Sequence, residues 1–525
     1  MGLSWPLALH LGQWHMVTAW GDSHIWVMEW TLRHLLDGRP QALLQPTLEA
    51  GFPVARDLRS VGGAALLIYS PLRLLLSPLA AGTLTHLLVL PATSLLTHGA
   101  LGALTRASPW TRAALASAYA VGPTVLSTLG MGEISNTQAW VLPAFLWAAH
   151  SMLPLDRSTV RLKRAPLVAL VGLLGGLSSP YLGLALPLVA AGWVLAARRL
   201  LPGGVLLLAL FLGLLPVGAW FGGSGSGRDS LVAPAPRALH EAPRGQALPQ
   251  PPPVATPDSL LLGTAQGPRS PYEPTHVSYL GLPLLLAALL VGRKERLGLA
   301  LFIGGVVLSL GPWLAVSGRY IQVLGGAFSL PVRLIELLGY PTRQGGLYFR
   351  YAILAELGLV LMLATGLAGR RYGALFAWGL AIVHGADSVR DTMPRWPLRV
   401  EPVAGIEALR AMAGEAPGAV LELPLQGPTD GHFGQAGVLR ALFHKRPTSS
   451  LLRDVRPHED AAREVLNKAR LEPDRLGERL REAGFAYVVL PAELARFSVP
   501  DEAVLRRLLG EPWAEEGGLM VWKLE

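Results

Sequence analysis

The chain has 525 residues, of which 51% are hydrophobic and only 15% charged, and its mean hydropathy is +0.39. Soluble domains carry about 25% charged residues, so this composition excludes an ordinary soluble globular protein and points to a membrane protein. The formal net charge of +9 is not a nucleic-acid signal, because much of the excess sits in short clusters between apolar segments: Arg157, Arg161, Lys163 and Arg164; Arg198 and Arg199; Arg293, Lys294 and Arg296; Arg370 and Arg371. Such clusters mark cytoplasmic turns under the positive-inside rule. Cysteine is absent, which excludes disulfides and thiolate metal sites.

In chain order, residues 3–20 form the first expected span. It is unusually polar, with His10, Gln13 and His15, and it lacks the basic start of a cleavable signal peptide, so the true start can lie upstream. A long external loop follows over about 21–78. Its apolar part from Gly62 to Leu76 is interrupted by Pro71 and Arg73 and is expected to lie at the interface rather than cross. Further spans are expected at 79–104, 113–130, 137–153, about 166–180, 181–197 and 202–221. After a Gly/Pro-rich external loop at 222–277, the set closes with 278–292, 297–315, 350–369 and 373–386. Each segment meets or approaches the roughly 17–25 apolar residues that a span needs.

The expected fold is therefore an α-helical integral membrane protein of about eleven transmembrane helices with a small C-terminal soluble α/β domain. The membrane domain covers 1–386, with external loops at about 21–78, 222–277 and 316–349, and a linker follows at 387–399. In the domain at 400–525, Val420–Pro424, Ala486–Leu490 and Leu519–Leu524 read as strands, and 459–470 and 473–483 as amphipathic helices. That domain carries no Gly-rich phosphate loop, metal-ligand spacing or nucleophile elbow, so it reads as a recognition or structural appendage. The N-terminus is expected inside and the C-terminal domain outside.

Four places carry a family resemblance. They are Gly21-Asp22-Ser23-His24 with Trp26 and Trp30 behind it, and Gly130-Met131-Gly132-Glu133-Ile134-Ser135-Asn136 leading into Trp140-Val141-Leu142-Pro143. The others are Tyr279-Leu280-Gly281 followed by Leu308-Ser309-Leu310-Gly311-Pro312, and Tyr348-Phe349-Arg350-Tyr351 entering a span ahead of the Leu421-Glu422-Leu423-Pro424 strand. In this order they resemble the bacterial membrane glycosyltransferases of the GT-C superfamily, specifically the YfhO-like and related multispanning proteins. The chain departs from that pattern where a second acid often accompanies the first-loop acid: here the neighbour is His24, and the next acid is Glu29.

The resemblance implies transfer of a sugar from a polyprenyl-phosphate donor to a glycan, lipid or protein acceptor on the outer face of a bacterial inner membrane. Membrane lipids are then its other partners, with no nucleic acid. Such chemistry needs a carboxylate to take the acceptor proton and cationic groups, or a divalent ion such as Mg or Mn, to hold the donor phosphate. Asp22 is the candidate base, or a cap for the helix that begins near Ser23. His24 assists, binds metal or is solvated. Glu133 is a site residue or a helix-end acid, and Asp22 and Glu133 are the candidate metal ligands.

For the phosphate the first choice is Arg350, with Arg343 and Arg333 behind it, against simple snorkelling at a span end. Arg56 and Arg59 form a second cationic pair, with Asp57 between them as their ion partner. Tyr272, Glu273, His276 and Tyr279 are candidates for the acceptor side. The clustered tryptophans of the first loop read as membrane-interface residues. Two other functions stand beside transfer: a flippase or transporter of lipid-linked saccharides, which would need charged or broken segments at mid-membrane, and a non-catalytic scaffold of the same fold.

Overall fold

The computed structural model describes residues 10–16, 21–45, 47–49, 52–53, 63–130, 132, 137–154, 160–197, 200–222, 255, 257–262, 279–292, 295–316, 319–323, 326–327, 329–337, 348–392, 400–415, 417–425, 433–449, 460–498 and 500–524. The chain enters through a short strand β1 (Trp14–Met16) and helix α1 (Gly21–Leu36), then the short helix α2 (Leu66–Arg73). The apolar series follows: α3 (Pro78–Leu104), α4 (Pro109–Ala120), α5 (Pro123–Gly130), α6 (Val141–Met152), α7 (Ala165–Ser178), α8 (Pro180–Ala197) and α9 (Leu200–Gly222). Next are α10 (Pro257–Leu262), α11 (Leu282–Val291) and α12 (Arg296–Ser309). Two small ladders pair β2 (Ala315–Val316) with β3 (Arg319–Tyr320) and β4 (Gln322–Val323) with β5 (Gly326–Ala327). Helices α13 (Pro331–Leu337), α14 (Ala352–Leu367) and α15 (Gly373–Thr392) complete the helical part.

Prolines and small polar residues cut these helices where the sequence says they should. Ser77 and Ser108 cap α3 and α4 by accepting from the third N–H of each helix. Ser179 and Pro180 separate α7 from α8, and the Ser178 hydroxyl, which donates to the Leu174 carbonyl at 2.6 Å, accepts from the Ala64 N–H at 2.8 Å. That bond docks the start of the α2 region onto the break. α14 is the central helix: every residue from Ala352 to Ala364 is buried.

Among the described residues, α3 alone is long and apolar enough to cross a bilayer unaided, and α4 and α5, bent by 44°, pass as a pair. Six further apolar helical stretches run to 10–17 residues. The segment at 113–130, expected as one continuous span, is instead bent between α4 and α5, α15 runs on to Thr392 through the first half of the expected linker, and α2 is a short helix rather than a span.

One expectation is corrected. Within the proposed first span at 3–20, Trp14–Met16 are extended and pair antiparallel with β6 (Val400–Pro402). Gln13, whose carbonyl accepts from the Val403 N–H at 2.9 Å, extends the pairing. A segment carrying His10, Gln13 and His15 lacks the apolar continuity that would satisfy a helix in lipid, and it meets the edge of the C-terminal region instead.

The C-terminal region continues with α16 (Ile406–Ala413), β7 (Ala419–Glu422), α17 (Phe433–His444), α18 (Asp460–Leu471), α19 (Leu476–Glu482), β8 (Phe485–Pro491), α20 (Glu502–Leu509), β9 (Ala514–Glu516) and β10 (Leu519–Lys523). Its sheet has the order β7-β8-β10-β9, with β7 parallel to β8 and the other pairs antiparallel. The side-chain period of two separates its faces. Leu421, Val488, Leu490, Met520 and Trp522 meet α18, α19 and α20 on one side, while Val420, Tyr487, Val489, Leu519 and Val521 meet α16 on the other. With both faces covered, β8 is apolar almost throughout.

The first loop is knitted to this region. Trp26, Val27 and Trp30 of α1 pack with Val438 and Ala441 of α17, and Ile25, Met28 and Leu32 with Leu439 and Val403. Thr448 donates its N–H to the Glu49 carbonyl and accepts from the Phe52 N–H, and the Phe52 ring stands edge-on to Phe485 at 5.1 Å. Trp26 and Trp30 are therefore not interface anchors, as expected from the sequence, but buried packing between α1 and α17.

Candidate active site at the start of α1

α1 begins at Gly21, which makes Asp22 its second residue, in the first turn where a negative charge is favoured. The Asp22 side chain lies outside the described residues, as do Glu133, Arg56, Asp57, Arg59, Tyr272, Glu273, His276 and Arg343. What the structure gives is the ground around them. Ser23 is buried and His24 half-buried.

α1 lies hard against α3. A Cβ at Gly82 would fall 2.6 Å from Ile25 Cγ1, so glycine is what lets the two helices approach. One turn further along α3 stands His86, wholly buried, with neither ring nitrogen hydrogen-bonded among the described residues. Its electrostatic neighbours are His24 and the backbone of Gly132. Gly132 holds a φ of +73° in the turn that closes α5 and leads to Glu133, a conformation glycine adopts without strain. His86 thus stands between the first turn of α1 and the turn before Glu133. Sequence reasoning passed over it, and the available signal was a histidine inside a 27-residue apolar helix, where ionisable groups are expensive.

A second cluster lies on the same loop. Glu29 of α1 accepts the Tyr69 hydroxyl at 2.7 Å and both Nε (2.8 Å) and Nη2 (3.0 Å) of Arg73. Burial, then the adjacent carboxylate, push the Tyr69 phenol up, so it remains a donor. The paired geometry ties α2 to α1 and engages Arg73 with a carboxylate.

Arg350 sits in the short turn Tyr348–Tyr351 ahead of α14 and is buried (8% exposed), flanked by the buried Tyr348 and Tyr351. It is therefore not snorkelling into solvent. Arg333 lies over the Trp313 ring at 5.3 Å. Tyr279 departs from the expected acceptor-side role: it is buried, donates to Asp387 Oδ2 at 2.5 Å and accepts the Leu282 N–H at 2.8 Å, which makes it a cap for α11. Among the described residues no three His, Asp or Glu side chains converge on one point.

No family model and no curated protein matches the chain. Among solved structures it is similar to an apo oligosaccharyltransferase from Archaeoglobus fulgidus (12% identity, 97% of this chain and 71% of that one, TM-score 0.47). It is also similar to apo ArnT from Cupriavidus metallidurans (12% identity, 98% and 95%, TM-score 0.48). A third likeness is to the archaeal oligosaccharyltransferase AglB from Archaeoglobus fulgidus in complex with an inhibitory peptide and a dolichol-phosphate (11% identity, 97% and 71%, TM-score 0.41). These likenesses are to structures of the GT-C superfamily that the motifs resemble. With TM-scores below 0.5, they concern overall course alone, and nothing about donor, acceptor or site residues passes from them.

Proposed function

We propose that the protein is a membrane glycosyltransferase that moves a sugar from a polyprenyl-phosphate donor to an acceptor on the external face. Its helical part spans the membrane through the ten apolar segments that follow the first loop. Residues 10–16, paired with β6, then lie outside with that loop and with the C-terminal region. The observation that supports the reading is the close approach of α1 to α3 at Gly82 and Ile25, one turn from the buried His86.

In this mechanism Asp22 takes the proton of the acceptor hydroxyl as its oxygen forms a bond to the anomeric carbon. The bond from that carbon to the phosphate oxygen breaks in the same displacement, and the lipid phosphate leaves with the electron pair. Arg350, with Arg343 and the Arg56–Arg59 pair, compensates the charge that develops there. Arg73 is a poor candidate for this role because Glu29 already occupies it.

A divalent cation fits the donor set. His86, with one lone-pair ring nitrogen as an imidazole, would be a nitrogen donor, and Asp22 and Glu133 would be oxygen donors. Imidazole shifts preference from Mg toward Mn or Zn. Bound there, the ion would supply charge stabilisation to the donor phosphate.

The test is transfer from a panel of polyprenyl-phosphate sugars by the purified chain, beside Asp22→Asn and Arg350→Ala. Transfer lost in both variants with folding intact supports the assignment, whereas transfer surviving Asp22→Asn moves the base to Glu133. A flippase is the second reading. It is favoured by the bend between α4 and α5 together with a buried carboxylate, Glu356, inside the bundle.

A further inference from the structure

The two ends of the helical part differ in how their arginines are matched. In the first loop and at the far end of α15 they meet carboxylates: Arg33 pairs with Glu49, Arg39 with Asp37, Arg73 with Glu29 and Arg390 with Asp387. Arg370 and Arg371 stand just before the start of α15, about 25 Å from Arg390 at 1.5 Å rise per residue. Both are exposed, and neither has a carboxylate partner among the described residues. Arg296, at the start of α12, is in the same condition. Its neighbour Glu295 is turned onto its own helix, where it accepts from the Leu297 and Gly298 N–H groups. The turn before α12 and the turn before α15 lie side by side. A Cβ at Gly366 would fall 2.3 Å from the Val291 carbonyl oxygen, and one at Gly292 would fall 2.5 Å from that of Met362. Three unmatched positive charges therefore gather at one end of the bundle. Arg371 lies over the exposed Tyr372 ring at 5.1 Å, and within the next turn of α15 Leu375 and Phe376 are exposed.

We propose that these two turns bind the phosphate headgroup of an anionic phospholipid from the leaflet they face, the cytoplasmic one under the positive-inside rule. Arg370 and Arg371 engage the phosphate oxygens, and Arg296 adds its charge from the neighbouring turn. A guanidinium stacked on a ring keeps its in-plane N–H groups free for such oxygens. Tyr372 sits at the headgroup level, where its amphipathic ring is at home, and the acyl chains run along Leu375 and Phe376. Topology asks only for positive charge in each turn. Two turns pressed together above exposed apolar surface add what a headgroup needs, and basic pockets between spans on this side of a membrane take anionic lipids. The site rests on the membrane reading of the helical part and is independent of sugar transfer.

The test uses the full chain in nanodiscs of phosphatidylcholine with increasing phosphatidylglycerol, with thermal melting followed by tryptophan fluorescence. The melting temperature of the parent is expected to rise to a plateau with phosphatidylglycerol. A variant carrying Arg296→Gln, Arg370→Gln and Arg371→Gln should melt with the parent in phosphatidylcholine alone, because all three side chains are exposed. It should lose most of the rise. A second variant removes the same charge elsewhere, through Arg161→Gln, Lys163→Gln and Arg164→Gln in the turn before α7, and should keep most of it. Equal losses in the two variants would reduce the effect to general surface charge and overturn the site. A rise produced as well by inorganic phosphate in phosphatidylcholine discs would also overturn it, in favour of a free anion. A parent that melts cooperatively in phosphatidylcholine but ignores phosphatidylglycerol overturns the site and leaves the membrane reading standing.

Discussion

Among the described residues, Glu356 and Glu422 are the buried glutamates, and their surroundings differ. Glu422, at the end of β7, has Arg440 Nε at 3.0 Å and Nη2 at 2.6 Å on its Oε2, its N–H bonded to Ser449 Oγ at 2.9 Å, and His444 Nε2 3.9 Å from Oε1. Glu356, in α14, has two bonds from Thr124 and, among the described residues, no cationic partner. An ionised carboxylate away from water costs several kcal/mol unless its charge is met. In the C-terminal sheet the chain meets it with its own side chains, and the pair then locks α17 onto β7. In the helical part the carboxyl is met on one oxygen by the Thr124 hydroxyl and N–H, and among the described residues its other oxygen has no hydrogen-bond partner. Glu422 thereby ties a helix to a strand through an ion pair, whereas Glu356 ties two helices through a cap.

The largest effect should come from making the first glutamate resemble the second. Arg440→Ala strands Glu422 without its partner and is expected to cost about 3–5 kcal/mol, the usual penalty for breaking a buried pair. Denaturant melts read this directly, and because α17 carries α1, the first loop should become protease-sensitive together with the sheet.

Neutralising each glutamate sharpens the contrast. Glu422→Gln leaves Arg440 buried and uncompensated and should lose about 2–4 kcal/mol. Glu356→Gln keeps an acceptor for Thr124 and strands no charged partner, so its loss should stay below about 1 kcal/mol. Equal costs at the two positions would break the comparison.

Acid should separate them as well. Burial, the larger cause, holds His444 neutral in the fold and its pKa below the ordinary 6.5, even with Glu422 nearby. Burial would raise the Glu422 carboxyl, but Arg440 and His444 more than offset it and hold it below the ordinary carboxylate value of 4.5. Both folded values are depressed, so both contributions are fully present above the unfolded values and are lost as pH falls. The C-terminal sheet is therefore expected to weaken progressively from about pH 6.5 downward, and His444→Gln should remove the part that begins there. Stability that rises on acidification would reverse the sign of this account.

The smallest effect belongs to Glu29. Its pair with Arg73 is partly exposed, at 22% and 33%, so Arg73→Lys should cost only about 0.2–1 kcal/mol. A larger loss would mean that the α1–α2 contact depends on the paired geometry of the guanidinium.

Much of this layout is legible in the sequence because composition alone determines it. The window 79–104 is α3 almost to the residue, and Ser178-Ser179-Pro180 ends α7 where small polar residues and proline must end it. The strands around Val420, Val488 and Val521 show in their β-branched, two-face pattern. What the sequence hides is of two kinds. Long-range pairing leaves no local trace: Trp14–Met16 join Val400–Pro402 across most of the chain, and Trp30 reads as an interface residue until α17 covers it. Single polar groups inside apolar windows are easily passed over, and both His86 and Glu356 sit in such windows. Of the named site residues, the structure half-buries His24 and buries Arg350, while most of the others fall outside the described residues.

The most direct measurement is the initial rate of sugar transfer from a polyprenyl-phosphate donor, taken in parallel for the parent, Asp22→Asn and Glu356→Gln. The account predicts that Asp22→Asn abolishes transfer, while Glu356→Gln, folded and outside the transfer site, keeps it. Transfer that survives Asp22→Asn but disappears in a folded Glu356→Gln would contradict it and move the chemistry from the start of α1 into the bundle.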